Sequence, residues 1–482
     1  MRQSSLKKLF PSWPVFRSRH LSLIHPLGDT SPAASFCHAK AFFYENGFCE
    51  RRNRVALAGD VWAGARLLPH LQSALGIGAI IGCAWALSED RRAFPWRMVV
   101  GTLLLQAAIA LLLLKVPVAR EALFGLNAVV TAVTTATNAG TSFVFGYLGS
   151  GPAPFAVTNP ANLVNLAFTI LPLVIVIAAL AAMLWYWRIT PFIVHAMALV
   201  LKRTIGLGGA VGLSAAATVF LGNIEGQLVI RPYMARLNRT ELFILMTVGL
   251  SVIAGTVFVL YATILKDVLP GALGHLLVAS FMSLPAGILI ARILVPGPAE
   301  TELTERQESV HYRSTMDAMA RGTEDGLKLY LQIIAMLIVT TALVALANVI
   351  LGVLPHVGGT PLTLERMLGW LFAPVVWLLG VPWSQAGIAG GLLGIKLALY
   401  ELVAYLRLAA MPAGTLDARS TQIMVYALCG FANFGSVGIL IGGMSAMIPE
   451  RRDEVVALAP RALLAGTMAS ALSGAMIGLL PL

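Results

Sequence analysis

From Leu71 onward the chain is an array of apolar stretches separated by short polar loops. Most of them approach the roughly 20 residues that a helix needs to cross a hydrocarbon core. Within lipid every backbone N–H and C=O must be satisfied inside the segment, so an array of this kind can only be a bundle of spanning helices. A porin-type barrel is excluded because its strands are about 10 residues of alternating pattern. Eight stretches read as spans: 71–87, 98–116, 163–187, 241–265, 273–295, 327–354, 421–447 and 456–480. Composition agrees: 58% of residues are hydrophobic and 12% charged, against roughly 25% charged in a soluble domain.

The excess of 34 Lys and Arg over 23 Asp and Glu suits the cytoplasmic loops of a multi-pass protein. Arg91, Arg92 and Arg97 follow the first span, and Arg451 and Arg452 precede the last, which places both loops on the same side. No basic stripe interleaved with aromatics is present, so nucleic acid is not expected as a partner. Cys37, Cys49, Cys83 and Cys429 have no CxxC spacing and define neither a disulfide framework nor a metal site. Residues 1–68 are basic and proline-containing and hold no apolar run of signal-peptide length. They read as a poorly ordered tail or as sequence upstream of the true start.

Two segments, 201–237 and 386–408, are apolar enough for membrane depth, yet Gly and polar residues interrupt them and each carries a carboxylate. Irregular backbone at that depth survives only against protein or a watered cavity, so each is a candidate re-entrant hairpin. Each is followed by two spans, the form of an internal repeat, and interrupted segments at matching places in two halves point to a transporter's binding site. Glu225 and Glu401 would cost at least about 2.5 kcal/mol each at a helix centre. The plain explanation is an aqueous hairpin edge or a nearby Arg. The functional one is a pair of acceptors for a polyhydroxylated solute, with a protonated carboxyl able to donate or to carry a coupling proton.

Around these carboxylates the chain reads Gly222-Asn223-Ile224-Glu225-Gly226 with Val229-Ile230-Arg231-Pro232-Tyr233, and Gly394-Ile395-Lys396 through Tyr400-Glu401-Leu402-Val403-Ala404-Tyr405. The seventh span contains Gly430-Phe431-Ala432-Asn433-Phe434-Gly435-Ser436. Two glycines flanking polar side chains suit local unwinding, which would expose backbone groups to a ligand. In this order, together with GTSFVFG at 140–146, Ala254-Gly255, Glu365-Arg366-Met367-Leu368-Gly369 leading to Pro374 and Trp377, and Pro449-Glu450-Arg451-Arg452, the chain resembles the concentrative nucleoside transporter family over residues 72–482.

The resemblance implies an all-α polytopic protein of about eight spanning helices plus two re-entrant hairpins in an inverted repeat. It implies a homotrimer in which a scaffold holds a mobile transport domain. Helices of 69–200 and 296–385 would supply the scaffold, and 201–295 and 386–482 the two transport repeats. Asn223, Ile224, Glu225 and Val257 would face the nucleobase, and Glu401, Asn433 and Ser436 the ribose, with Phe431 lining the pocket. For Asn433 and Ser436 the alternative is ordinary interhelical hydrogen bonding; for Phe431 it is packing.

Departures from the family pattern bear on substrate and ion. Where the family often has Gln-Thr before the first hairpin glutamate, this chain has Asn223-Ile224, and Tyr400 replaces the usual Asn before Glu401. Sodium-coupled members build a cation site whose matching positions here are Thr218, Leu221, Val252 and Ile253; Val252 offers no side-chain oxygen, and a hard cation needs a shell of oxygens. Na+ and H+ both remain open as coupling ion, with the proton slightly favoured. The expected function is cation-coupled import of nucleosides, or of another small polyhydroxylated solute, across the cytoplasmic (inner) membrane by an elevator-type movement. An intramembrane enzyme using Glu225 and Glu401 as acid and base lacks an activated nucleophile, a metal cluster and an HExxH motif. Gly76, Gly78 and Gly82 read as helix packing and His275 as an interfacial residue.

Overall fold

In a computed structural model, the described residues are 51–156, 165–207, 209–298, 312–357, 359 and 361–480. Residues 1–50, and with them most of the expected tail, lie outside this set. Two compact units are separated at Val61. In the first, residues 51–61 are helical; the second, from Trp62, carries everything that follows.

Among the described residues, helices account for all the regular elements apart from short 3-10 and π turns. They are α1 Arg51–Ala86, α2 Trp96–Lys115, α3 Pro117–Phe145, α4 Leu173–Tyr186, α5 Ile189–Ile205, α6 Gly209–Leu221, α7 Glu225–Leu228, α8 Arg239–Ser251, α9 Gly255–Leu265, α10 Ala272–Leu294, α11 Thr315–Leu351, α12 Leu364–Leu379, α13 Trp383–Ala398, α14 Glu401–Ala409, α15 Ala418–Leu428, α16 Phe434–Met447 and α17 Arg452–Leu479.

Among the described residues, six elements are long and apolar enough to cross a membrane, or seven if the α12 and α13 pair, bent by 115°, counts as one. Two of the eight stretches read from sequence are not among these. The 71–87 stretch is the end of α1, where His70, Gln72 and Ser73 dilute the apolar run. The 421–447 stretch is two helices, α15 and α16, separated by a non-helical 429–433, where local unwinding is expected from the sequence. The 29-residue α3 was not anticipated as an element. Its run of Thr131, Thr134, Thr135, Thr137, Asn138 and Thr141 lowers its hydropathy below that of a conventional span. The glycine pattern near residue 80 is also corrected in part. A side chain at Gly76 would collide with the Leu378 carbonyl of α12, whereas Gly78 and Gly82 face open space.

The order of elements shows the repeat. A helix, a tip and a short return (α6, Gly222 to Ile224, α7) lead to a broken helix (α8 and α9) and then an unbroken one (α10). The same order recurs as α13, Leu399 to Tyr400, α14, then α15 and α16, then α17. The two unbroken members, α10 and α17, pack on each other. At the first tip Gly222 takes φ +116°, where a Cβ is disfavoured.

α11 lies along α4. The contact is close because Gly322 and Gly326 face the backbone of Ile175, Ala178 and Ala179, the small-residue packing that substitutes for a hydrophobic drive in lipid. Outside the spans, Glu89 links the α1–α2 loop to Arg239 at 2.8 Å and to Arg461. The hydrogen bond from Arg239 holds the Glu89 carboxyl below its usual range. The arginine loop after α1 and the start of α17 therefore share one face of the bundle.

Candidate substrate-binding cavity

Both broken helices come apart at neighbouring points. α8 ends at Ser251, and Val252 and Ala254 are extended before α9 starts. α15 ends at Leu428, and Asn433 is extended before α16. The gaps touch: the Phe431 N–H donates to the Val252 carbonyl at 3.3 Å. A Cβ on Gly430 would sit 2.7 Å from the Ser251 carbonyl oxygen, so this approach requires glycine. One freed N–H and one freed carbonyl are thus satisfied across the two repeats, as interrupted helices at membrane depth demand.

The gaps and the two tips border a cavity of about 710 Å³, within the range of small-molecule sites. Its opposite wall is α4 and α11, with Trp185, Arg321, Asp325 and Gln332 among the lining residues. Asn223, Ile224, Glu225, Val257, Glu401, Phe431 and Ser436 all line it, whereas Asn433 does not. Asn433 is fully buried behind Glu401 and donates through Nδ2 to Oε2 at 3.0 Å. Its Oδ1 accepts the Ser436 N–H at 2.7 Å, so one amide caps α16 and holds the carboxylate.

Glu401 is 2% exposed and its second oxygen, Oε1, accepts the Tyr261 hydroxyl at 2.6 Å. Each oxygen keeps a lone pair for a ligand hydroxyl. Glu225, exposed where it opens into the cavity, sits at the first turn after the other tip. The two carboxylates therefore share one enclosure.

Tyr261 and Lys396 were missed in the sequence reading. Tyr261 was legible as a hydroxyl one helical turn beyond Val257. Lys396 was a charge inside an apolar helix, an intramembrane ionisable group that calls for a partner. It is fully buried and donates to the Ala427 carbonyl at 2.9 Å and to Ser470 Oγ at 2.7 Å. The cation thus caps the end of α15, where the helix leaves carbonyls unpaired. His275, expected at the interface, is half-buried and lies 3.1 Å from the Tyr426 hydroxyl.

At the cation positions Thr218 Oγ1 donates to the Ser214 carbonyl at 2.8 Å. The Val252 carbonyl accepts from Phe431, and the Ile253 carbonyl from Ser280 at 3.4 Å. Leu221 lines the cavity.

Two tips and two helix gaps around one cavity that holds two carboxylates, in an apolar bundle, define a membrane transporter. Three family models match: "Na+ dependent nucleoside transporter N-terminus" over residues 75–148, "Nucleoside recognition" over 167–268, and "Na+ dependent nucleoside transporter C-terminus" over 275–478. The chain belongs to the concentrative nucleoside transporter family, a family of transporters and not of enzymes. It is 36% identical to the nucleoside permease NupC of Helicobacter pylori, covering 86% of this chain and 98% of that protein. It is 29% identical to sodium/nucleoside cotransporter 1 of Mus musculus, covering 85% of this chain and 64% of that protein. Among solved structures, CNTnw in an inward-facing substrate-bound state matches at 36% identity and a TM-score of 0.76, over 85% of this chain and 97% of that one.

Proposed function

We propose that the chain is a symporter importing nucleosides across the cytoplasmic membrane, with the proton as coupling ion. The observation that carries this is the common enclosure of Glu225 and Glu401, the latter held by Tyr261 and Asn433. In this reading Asn223, Ile224, Glu225 and Val257 meet the base, while Glu401 and Ser436 meet the ribose with Phe431 alongside. Asn433 acts through Glu401. The tip segments are re-entrant hairpins, and the repeats move as a body against α4 and α11 in an elevator-type cycle. A homotrimer belongs to the same reading; α11 exposes Ile338, Val339, Leu343, Leu346 and Val349 to lipid or to a second copy.

The family description names sodium, but Thr218, Leu221, Val252 and Ile253 offer a poor oxygen shell. Only Thr218 among them carries a side-chain oxygen, the other three can offer main-chain carbonyls alone, and two of those carbonyls already accept a hydrogen bond. Uptake of labelled uridine, adenosine and inosine into proteoliposomes is expected to accumulate unchanged nucleoside under an inward proton gradient and not under a sodium gradient alone. Accumulation driven by sodium at equal pH overturns the proton assignment. A chemically altered product without accumulation overturns transport itself.

Ile224 packs its Cδ1 against Gly443 of α16 at the cavity wall. Ile224→Thr adds a hydroxyl where the wall is apolar, and the ratio of uptake rates between bases is expected to shift by at least about threefold, the value of a modest hydrogen bond. An unchanged ranking means that this side chain does not face the base.

A further inference from the structure

We infer that Gln227 is a positioning residue that fixes which end of the Asn223 amide faces the substrate, and so makes the base side of the cavity a hydrogen-bond donor at that point. The inference rests on the nucleoside-transport reading above. Gln227 is fully buried in α7, one turn beyond Asn223, and does not line the cavity. Its Nε2 lies 3.3 Å from Asn223 Oδ1 and 3.5 Å from the main-chain carbonyl of Leu245 in α8.

That carbonyl can only accept. The Gln227 atom beside it is therefore assigned as the amide nitrogen, because the reversed amide would set oxygen against oxygen; Gln227 Oε1 is then buried without a hydrogen bond among the described residues. The nitrogen in turn requires an oxygen from Asn223. Asn223 Nδ2 is left with no hydrogen bond to protein among the described residues, on a side chain that lines the cavity. Gly249, one turn beyond Leu245, closes the slot: a Cβ there would collide with Asn223 Oδ1.

The wall of the cavity thus presents an N–H2 donor from Asn223 two residues from the Glu225 carboxylate, an acceptor when ionised. The chemistry that fits is a nucleobase edge with an acceptor atom next to an N–H. Gln227→Met keeps the length of the side chain and removes both hydrogen bonds, so Asn223 is free to turn its amide.

The test is uptake of uridine, cytidine and adenosine into proteoliposomes by wild type, Gln227→Met, Asn223→Ala and the double variant. Gln227→Met is expected to raise KM for the best-transported nucleoside by about tenfold, with kcat within about twofold. In the Asn223→Ala background the same substitution is expected to leave KM unchanged, which a merely structural role would not do. Should Gln227→Met fail to insert, Gln227→Glu exchanges the donor for an oxygen at equal size and is read in the same cycle. A KM unaltered by Gln227→Met, or raised equally with and without Asn223, overturns the positioning role while wild-type uptake stands. No saturable uptake by the wild type overturns the transport reading instead.

Discussion

Glu401→Ala is expected to lower nucleoside uptake by at least about a hundredfold. The carboxylate is the only group at the second tip that can accept from two vicinal hydroxyls, and hydrogen bonds to a charged acceptor are worth roughly 1.5–3 kcal/mol each. Two such bonds exceed the two orders of magnitude claimed. The substitution also strands the Tyr261 hydroxyl and the Asn433 amide, both buried, at a cost of about 1–3 kcal/mol for each orphaned group. Glu401→Gln, which fills the same space, separates lost binding from lost folding: its melting temperature in detergent should stay near wild type while its uptake falls. Wild-type uptake by Glu401→Ala would show that the sugar is held elsewhere.

Gly226→Ala is expected to cut kcat/KM by one to two orders of magnitude through a different cause. A Cβ at this position would lie 2.6 and 2.7 Å from Thr218 Cα and N, main-chain atoms of α6 that cannot rotate away. The return arm of the first tip would have to lift off α6, breaking the bond from Ser214 Oγ to the Gly226 carbonyl at 2.9 Å. Overpacking of this kind costs about 1–3 kcal/mol, and here it displaces Glu225, the adjacent residue. Initial rates of uptake together with detergent melting curves check it. A variant with normal rates would mean that the two arms are not packed this closely.

Much of this architecture was legible because lipid removes choices. Where water cannot satisfy a backbone, Gly222, Glu225, Tyr400, Glu401 and the 430–436 run had to mark irregular, protein-lined structure, and those positions are the tips and a helix gap. The second gap, at Val252 to Ala254, was less visible: its residues are apolar, and the break is satisfied from the other repeat by Phe431. α3 escaped notice because threonines and asparagines within a helix resemble a polar loop to hydropathy. Asn433, expected at the ribose, is buried and donates to Glu401; a sequence shows that an amide is near a carboxylate and not how the two are bonded. Tyr261 and Gln227 act through partners about 140 and 4 residues away, and the distant pairing has no local signature.

The hydrogen bond between the two helix gaps joins main chain to main chain. The spacing of the two gaps at that point is therefore set by peptide geometry, whatever side chains decorate them. Exchanging a lining residue alters which atoms face the cavity while that main-chain spacing stays the same.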